Sequence, residues 1–205
     1  MSIKQYYYLN GVVLSCFALL LLNCGKSREN SGSSSFTKAD SLTETYLALQ
    51  DSILQAWNQM VDDDNRKIKA MHNLVHDLMV AGNNTNENLI SLEQRLEQLN
   101  TLKYDQKTMA NPELVDEYDF ATSSLISEII SVAESSSKSS NNRDLQNLID
   151  SINSADQRVN TYREEYDYII NKYNRFIEEN KNYLKEIDPK YSLQKKPIFQ
   201  MTEVE

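Results

Sequence analysis

From Thr37 onward, apolar residues recur every three or four positions, the spacing that places them on one face of an α-helix. Thr37 followed three residues later by Asp40 predicts a capped start. The first stripe is Leu42, Tyr46, Leu49, Ile53, Trp57, Met60, Asp64, Ile68, Met71, Val75 and Leu78, with one charge, and "AGNN" ends it at Gly82. A second helix is predicted from Asn84, with Glu87 completing its cap, through Leu89, Leu92, Leu96, Leu99 and Leu102. A third opens on Asn111 and Pro112 and presents Leu114, Tyr118, Leu125, Ile129 and Val132 before the loop "SSSKSSNN". The fourth pattern is Leu145, Ile149, Ile152, Ala155, Val159, Tyr162, Tyr166, Ile169, Tyr173, Phe176, Tyr183 and Ile187, stopped by Asp188-Pro189.

This pattern predicts an all-α fold, an antiparallel up-and-down bundle of four helices with long first and fourth helices. The two short helices would complete a four-helix section at one end while the long pair continues alone. A three-helix bundle, in which helices two and three form one broken rod and the long helices run parallel, fits the same pattern. In the antiparallel arrangement, counting outward from the loops near residues 81 and 142 brings Trp57 level with Tyr166. The same count places the Asp62-Asp63-Asp64 run near Arg158 and Arg163, with Arg66 beside Asp156. An acid on a core stripe is costly without a partner, which is the reason to expect these pairs.

Composition narrows the chemistry. Only 4 Gly and 3 Pro interrupt 205 residues, in keeping with long helices. The net charge of -9 and the absence of a basic cluster argue against a nucleic-acid partner. Both cysteines, Cys16 and Cys24, fall in the first 24 residues, leaving the body without thiol chemistry.

Those cysteines sit in a leader. A single Lys4 precedes a mostly apolar run from Leu9 to Leu22, and the chain turns polar after Cys24. That run is short for a membrane span, which needs about 20 apolar residues, and suits a signal-peptide core of roughly 7 to 15. "LLNC" resembles the bacterial lipobox, with Asn23 where the pattern prefers a small residue. The reading is a signal peptide over 1–23, a lipidated Cys24 and flexible tether over 24–36, a bundle over 37–188 and a C-terminal tail over 189–205. An uncleaved anchor, or lipidation at Cys16, are the alternatives. Cleavage before Cys24 removes Lys4 and no acid, taking the net charge from -9 to -10. The expected address is the cell envelope, on the extracytoplasmic side of either the outer or the cytoplasmic membrane.

No catalytic residue, cofactor or metal site is expected. His72 and His76 stand four apart on one helix but lack the further ligands that a metal needs. "VDDDN" at 61–65 lies inside a helix and lacks the glycine of a calcium loop. The aromatic ladder Tyr162, Tyr166, Tyr173, Phe176 and Tyr183 reads as packing, and no nucleophile elbow or phosphate loop is present.

The segments "AWNQMVDDDNRKIKAMHNLVHDL" (56–78) and "ADQRVNTYREEYDYIINKYN" (155–174) resemble the LemA family. In that family a tryptophan is followed by an arginine and an Asn-Leu-Val step, and later by an arginine and Tyr-Asn ladder. "VAE" at 132–134 and "KKPIF" at 195–199 also match. His72 stands where the family usually has proline, Asp64 where it has an aliphatic residue, and a serine-rich loop at 135–140 replaces its Tyr-Pro-Asp-Leu stretch. The resemblance implies an antiparallel helical bundle attached to a bacterial membrane, without established enzymatic activity. The function expected is that of a scaffold or adaptor for an unidentified protein partner. A bundle carrying a small hydrophobic ligand is the alternative, and cavity volume separates the two.

Overall fold

The computed structural model describes residues 37–81, 87–136, 143–187, 189–190 and 193–199. The leader with Cys16 and Cys24, the tether, the Asn84 cap, the Asp188 stop and most of the serine-rich loop lie outside the described residues. The described residues form four α-helices: α1 (Lys38–Ala81), α2 (Glu87–Leu102), α3 (Pro112–Ser135) and α4 (Arg143–Ile187). Neither α1 nor α4 contains a glycine or proline, so nothing breaks their hydrogen-bond ladders, and at 1.5 Å per residue each is a rod of about 65 Å. Among the described residues there is no strand, and no helix is long and apolar enough to cross a membrane.

The long helices are antiparallel. Down the seam Lys38 meets Tyr183, Tyr46 meets Tyr173, Trp57 meets Tyr166 and Asp63 meets Arg158, so partners climb in α1 as they descend in α4. This order excludes the parallel, three-helix alternative. Two apolar clusters follow the pair. The head cluster is built from all four helices around Leu74, Leu96, Ile129 and Ile152, each fully buried. The stem cluster holds Tyr46, Ile53 and Met60 of α1 against Tyr166, Ile170, Tyr173, Ile177 and Leu184 of α4.

Local chemistry fixes the short helices. Asn111 caps α3 by accepting a hydrogen bond from the Glu113 backbone N–H at 3.1 Å, with Pro112 in the first turn. Arg95 of α2 forks onto Glu128 of α3 at 2.6 and 2.8 Å, and His72 of α1 bonds Glu93 of α2 at 2.9 Å. His76 is exposed.

The buried stripes differ from the expected ones in phase at three places. In the lower half of α4, Ile170, Ile177 and Leu184 are buried, while Ile169 and Phe176 are half-buried and Tyr183 is exposed. A two-helix seam holds its register only at 3.5 residues per turn, which selects 166, 170, 173, 177 and 184. On α1 the same seam buries Asp63 and leaves Asp64 part-exposed. On α3 it is Val115 that is buried, and Leu114 faces outward.

The chain also covers its own stem. Residues 193–199, neither helix nor strand, run back along α4 from Tyr173 to Asp167, and Phe199 is buried in the stem cluster. The body from Lys38 onward forms one compact unit that includes this segment.

Candidate functional site

Where the head passes into the stem, the seam carries three buried charges: Asp63 and Lys67 of α1, four residues apart, and Arg163 of α4. Helical spacing stacks the first two on one face, and the antiparallel register brings the third beside them. Asp63 accepts from Arg158 Nη2 at 2.8 Å and Nε at 3.1 Å, and from Arg66 at 3.1 Å. Burial pushes the Asp63 carboxyl up, but the hydrogen bonds and charges of Arg158 and Arg66 outweigh it and hold the group below its usual range.

Arg66 was expected beside Asp156. It turns instead to Asp63 one turn back on its own helix, and Lys67 takes the place near Asp156, with Nζ 3.6 Å away. The reason is again the seam phase: Lys67 is on it and Arg66 is exposed. Asp62 points to solvent. Arg163, expected near the aspartate run, forks onto Asp119 of α3 at 2.7 and 2.8 Å and donates to the Tyr104 hydroxyl at 2.9 Å. Burial alone would disfavour its charge, but Asp119 and Tyr104 hold the proton on more firmly than usual. Asp64 accepts from the Tyr118 hydroxyl at 2.5 Å and lies 3.6 Å from Lys103.

Beneath this ionic layer lies an aromatic cluster. Trp57 meets Tyr166 edge-on, ring centroids 5.5 Å apart at 61°. It also meets Tyr104 at 6.3 Å and stacks on Phe199 at 6.5 Å and 10°. Tyr166 and Tyr104 each present an edge to Phe199, at 5.7 and 5.9 Å, and the Arg163 guanidinium lies 5.0 Å from the same ring. Tyr104 reaches the cluster from the link between α2 and α3. There the Asp105 carboxylate accepts from the Lys107 and Thr108 backbone N–H groups, both at 2.8 Å, and fixes the turn before a short 3₁₀ segment, Thr108–Ala110. Between layer and cluster is a cavity of about 90 Å³ lined by Trp57, Asp64, Lys67, Tyr104, Tyr118 and Arg163 among others.

The expected residues therefore meet where head passes into stem, Asp63, Arg158 and Arg163 in the ionic layer and Trp57 and Tyr166 in the aromatic cluster beneath it, and Arg66 and Asp156 join the layer through different partners. Lys67, Tyr104, Asp119 and Phe199 were not anticipated there. Lys67 had a readable signal, since it stands one seam step from Asp63. Compared with family models, with curated proteins and with solved structures, the chain matches none. Among the described residues, no three His, Cys, Asp or Glu side chains are grouped to hold a metal ion.

Two titrations test the layer. Asp63, with its lowered folded-state pKa, contributes stability that is present above its ordinary value of 3.8 and lost as the pH falls through the folded value. Asp63→Asn should therefore lower the melting temperature at pH 7, and the gap to the unmodified chain should narrow as the pH falls below 3.8. Asp167 has the opposite sign. Burial raises its pKa against the smaller pull of the Phe199 N–H and Arg163, so its contribution is present below 3.8 and is lost as pH rises through the folded value. Asp167→Asn keeps an acceptor and should remove that slope, giving a melting temperature at pH 7 equal to or above the parent's. Thermal melts by circular dichroism across pH 2 to 7 read both.

Proposed function

We propose that this chain is a non-catalytic interaction protein of the bacterial envelope, related to the LemA family, held to a membrane by lipid on Cys24 and serving a protein partner as scaffold or adaptor. The observation that carries the reading is the small size of the hollow between the helices where head passes into stem. The cavity at the junction is about 90 Å³, well under the roughly 300–1,000 Å³ of sites that enclose drug-sized ligands, which counts against a carrier of small hydrophobic molecules. What the bundle offers instead is surface: a long antiparallel pair with a defined ionic layer. An anchor preceding α1 would join the fold at its stem end.

The test begins with the anchor. In a bacterial host the chain should label with palmitate and partition into detergent. Cys24→Ala should abolish both while helical content stays the same. Label that survives Cys24→Ala and disappears with Cys16→Ala moves the attachment point. A chain that is neither labelled nor membrane-bound sinks the proposal. Cross-linking in intact membranes, followed by capture of the chain, should then yield a protein of defined stoichiometry.

A further inference from the structure

The segment 193–199 is held the way a bound peptide is held. Its hydrogen bonds to the stem are made through its main chain. Asn174 donates to the Lys196 carbonyl at 2.9 Å and accepts from the Lys196 N–H at 2.8 Å, so one side-chain amide reads both backbone groups of one residue. Asp167 accepts from the Phe199 N–H at 2.9 Å, and the Tyr173 hydroxyl donates to the Gln194 carbonyl at 3.5 Å. Phe199 is buried, Leu193, Lys196 and Pro197 are half-covered, and Gln194, Lys195 and Ile198 are exposed. The specific element is the Phe199 ring, which fills the slot between Trp57, Tyr104 and Tyr166. Basic residues flank it: Lys195 lies 3.0 Å from Glu178, and the Lys196 ammonium sits 5.6 Å from the centre of the Tyr173 ring.

Nothing in these contacts requires the segment to belong to the same chain. It adds no strand or helix to the bundle, and three side chains of α4 hold its backbone. We propose that the α1–α4 groove is a docking site for an extended segment of a partner protein, bearing a basic residue, a proline and a phenylalanine at this spacing, and that 193–199 closes it until such a segment displaces it. This rests on the reading of the chain as a protein-binding bundle and names the chemistry of its partner. Tethering gives the chain's own segment an effective concentration of about millimolar, so a partner must bind more tightly or be concentrated on the same membrane. The net charge of -9 favours a basic segment over an acidic one.

The test uses the full chain in detergent and a labelled peptide, Leu-Gln-Lys-Lys-Pro-Ile-Phe. In Phe199→Ala the slot is empty, and fluorescence anisotropy should show peptide binding at least about ten-fold tighter than to the unmodified chain. Replacing the peptide's Phe by Ala, or adding Asn174→Ala to the protein, should each weaken binding about five-fold or more. Trp57, the one tryptophan, should shift its emission as the peptide enters. If Phe199→Ala loses its helical signal, Phe199→Leu takes its place with the same expected order of affinities. In the unmodified chain, the Lys196 and Phe199 amide protons should exchange well before those of the α1–α4 seam, because the segment opens without unfolding the bundle.

A folded variant that binds no peptide, or binds the Ala peptide equally well, overturns the proposal. So does exchange of those two amides only on global unfolding. A dimer seen by sedimentation for the unmodified chain and lost in Phe199→Ala would make a second copy the occupant and overturn the assignment to a partner. None of these results depends on Cys24 or on membrane capture, so failure here leaves the anchored-scaffold reading standing, and failure there leaves the groove standing.

Discussion

Replacing Arg163 by methionine should destabilise the bundle by about 2–4 kcal/mol in urea denaturation. The guanidinium is buried and satisfies Asp119 with two parallel hydrogen bonds and the Tyr104 hydroxyl with a third. Removing one member of such a pair leaves the others without a partner, which costs about 3–5 kcal/mol where both are buried. Asp119 keeps 37% of its side-chain exposure and recovers part of this through water, hence the lower range. Arg163→Lys should restore less than half of the loss, because an ammonium is a point donor and cannot span the two carboxylate oxygens. A loss below about 1 kcal/mol for methionine, or full rescue by lysine, would mean that the fork contributes little.

Truncating Trp57 to alanine should cost about 2–4 kcal/mol. Large aromatic-to-alanine changes in cores cost about 3–5 kcal/mol, and Trp57 is only partly buried, which shifts the value down. Its contacts span three parts of the fold: Tyr166 on α4, Tyr104 on the link and Phe199 on the returning segment. A double-mutant cycle with Tyr166→Leu isolates the edge-on pair, for which a coupling of about 0.5–1.5 kcal/mol is expected. Strict additivity of the two changes would show that the rings merely lie near each other.

Long, unbroken stripes made the four helices readable from sequence. Because an α-helix rises by a fixed amount per residue, counting back from two loops was enough to set Trp57 opposite Tyr166. The phase of the lower α4 seam was not readable in the same way. Ile169-Ile170, Phe176-Ile177 and Tyr183-Leu184 are adjacent apolar pairs, so either member suits a solitary amphipathic helix, and only the partner helix chooses between them. Asp63 was expected opposite Arg158, but the stripe was phased on Asp64 and Ile68, which left Lys67 unread although it stands one seam step from Asp63. Tyr104 and Asp119 reach the site from a non-helical link and from another helix, 59 and 44 residues from Arg163, and no local spacing connects them. Phe199 belongs to a segment whose order comes from docking onto α4, so it has no helical pattern of its own to betray it.

The antiparallel pairing of the first and last helices also sets a timetable for synthesis. Tyr46 and Tyr173 pack at 6.2 Å, yet every residue between them must be made before they meet. At about 5–20 residues per second, α1 exists for on the order of ten seconds without the helix that covers its stem half. The head has no such wait for its first contacts, because α2 and α3 follow α1 directly. A nascent chain should therefore acquire protease-resistant structure around Leu74 and Leu96 while the region from Tyr46 to Met60 is still open to cleavage. Any chaperone that escorts this chain has its natural binding site on that stretch of α1.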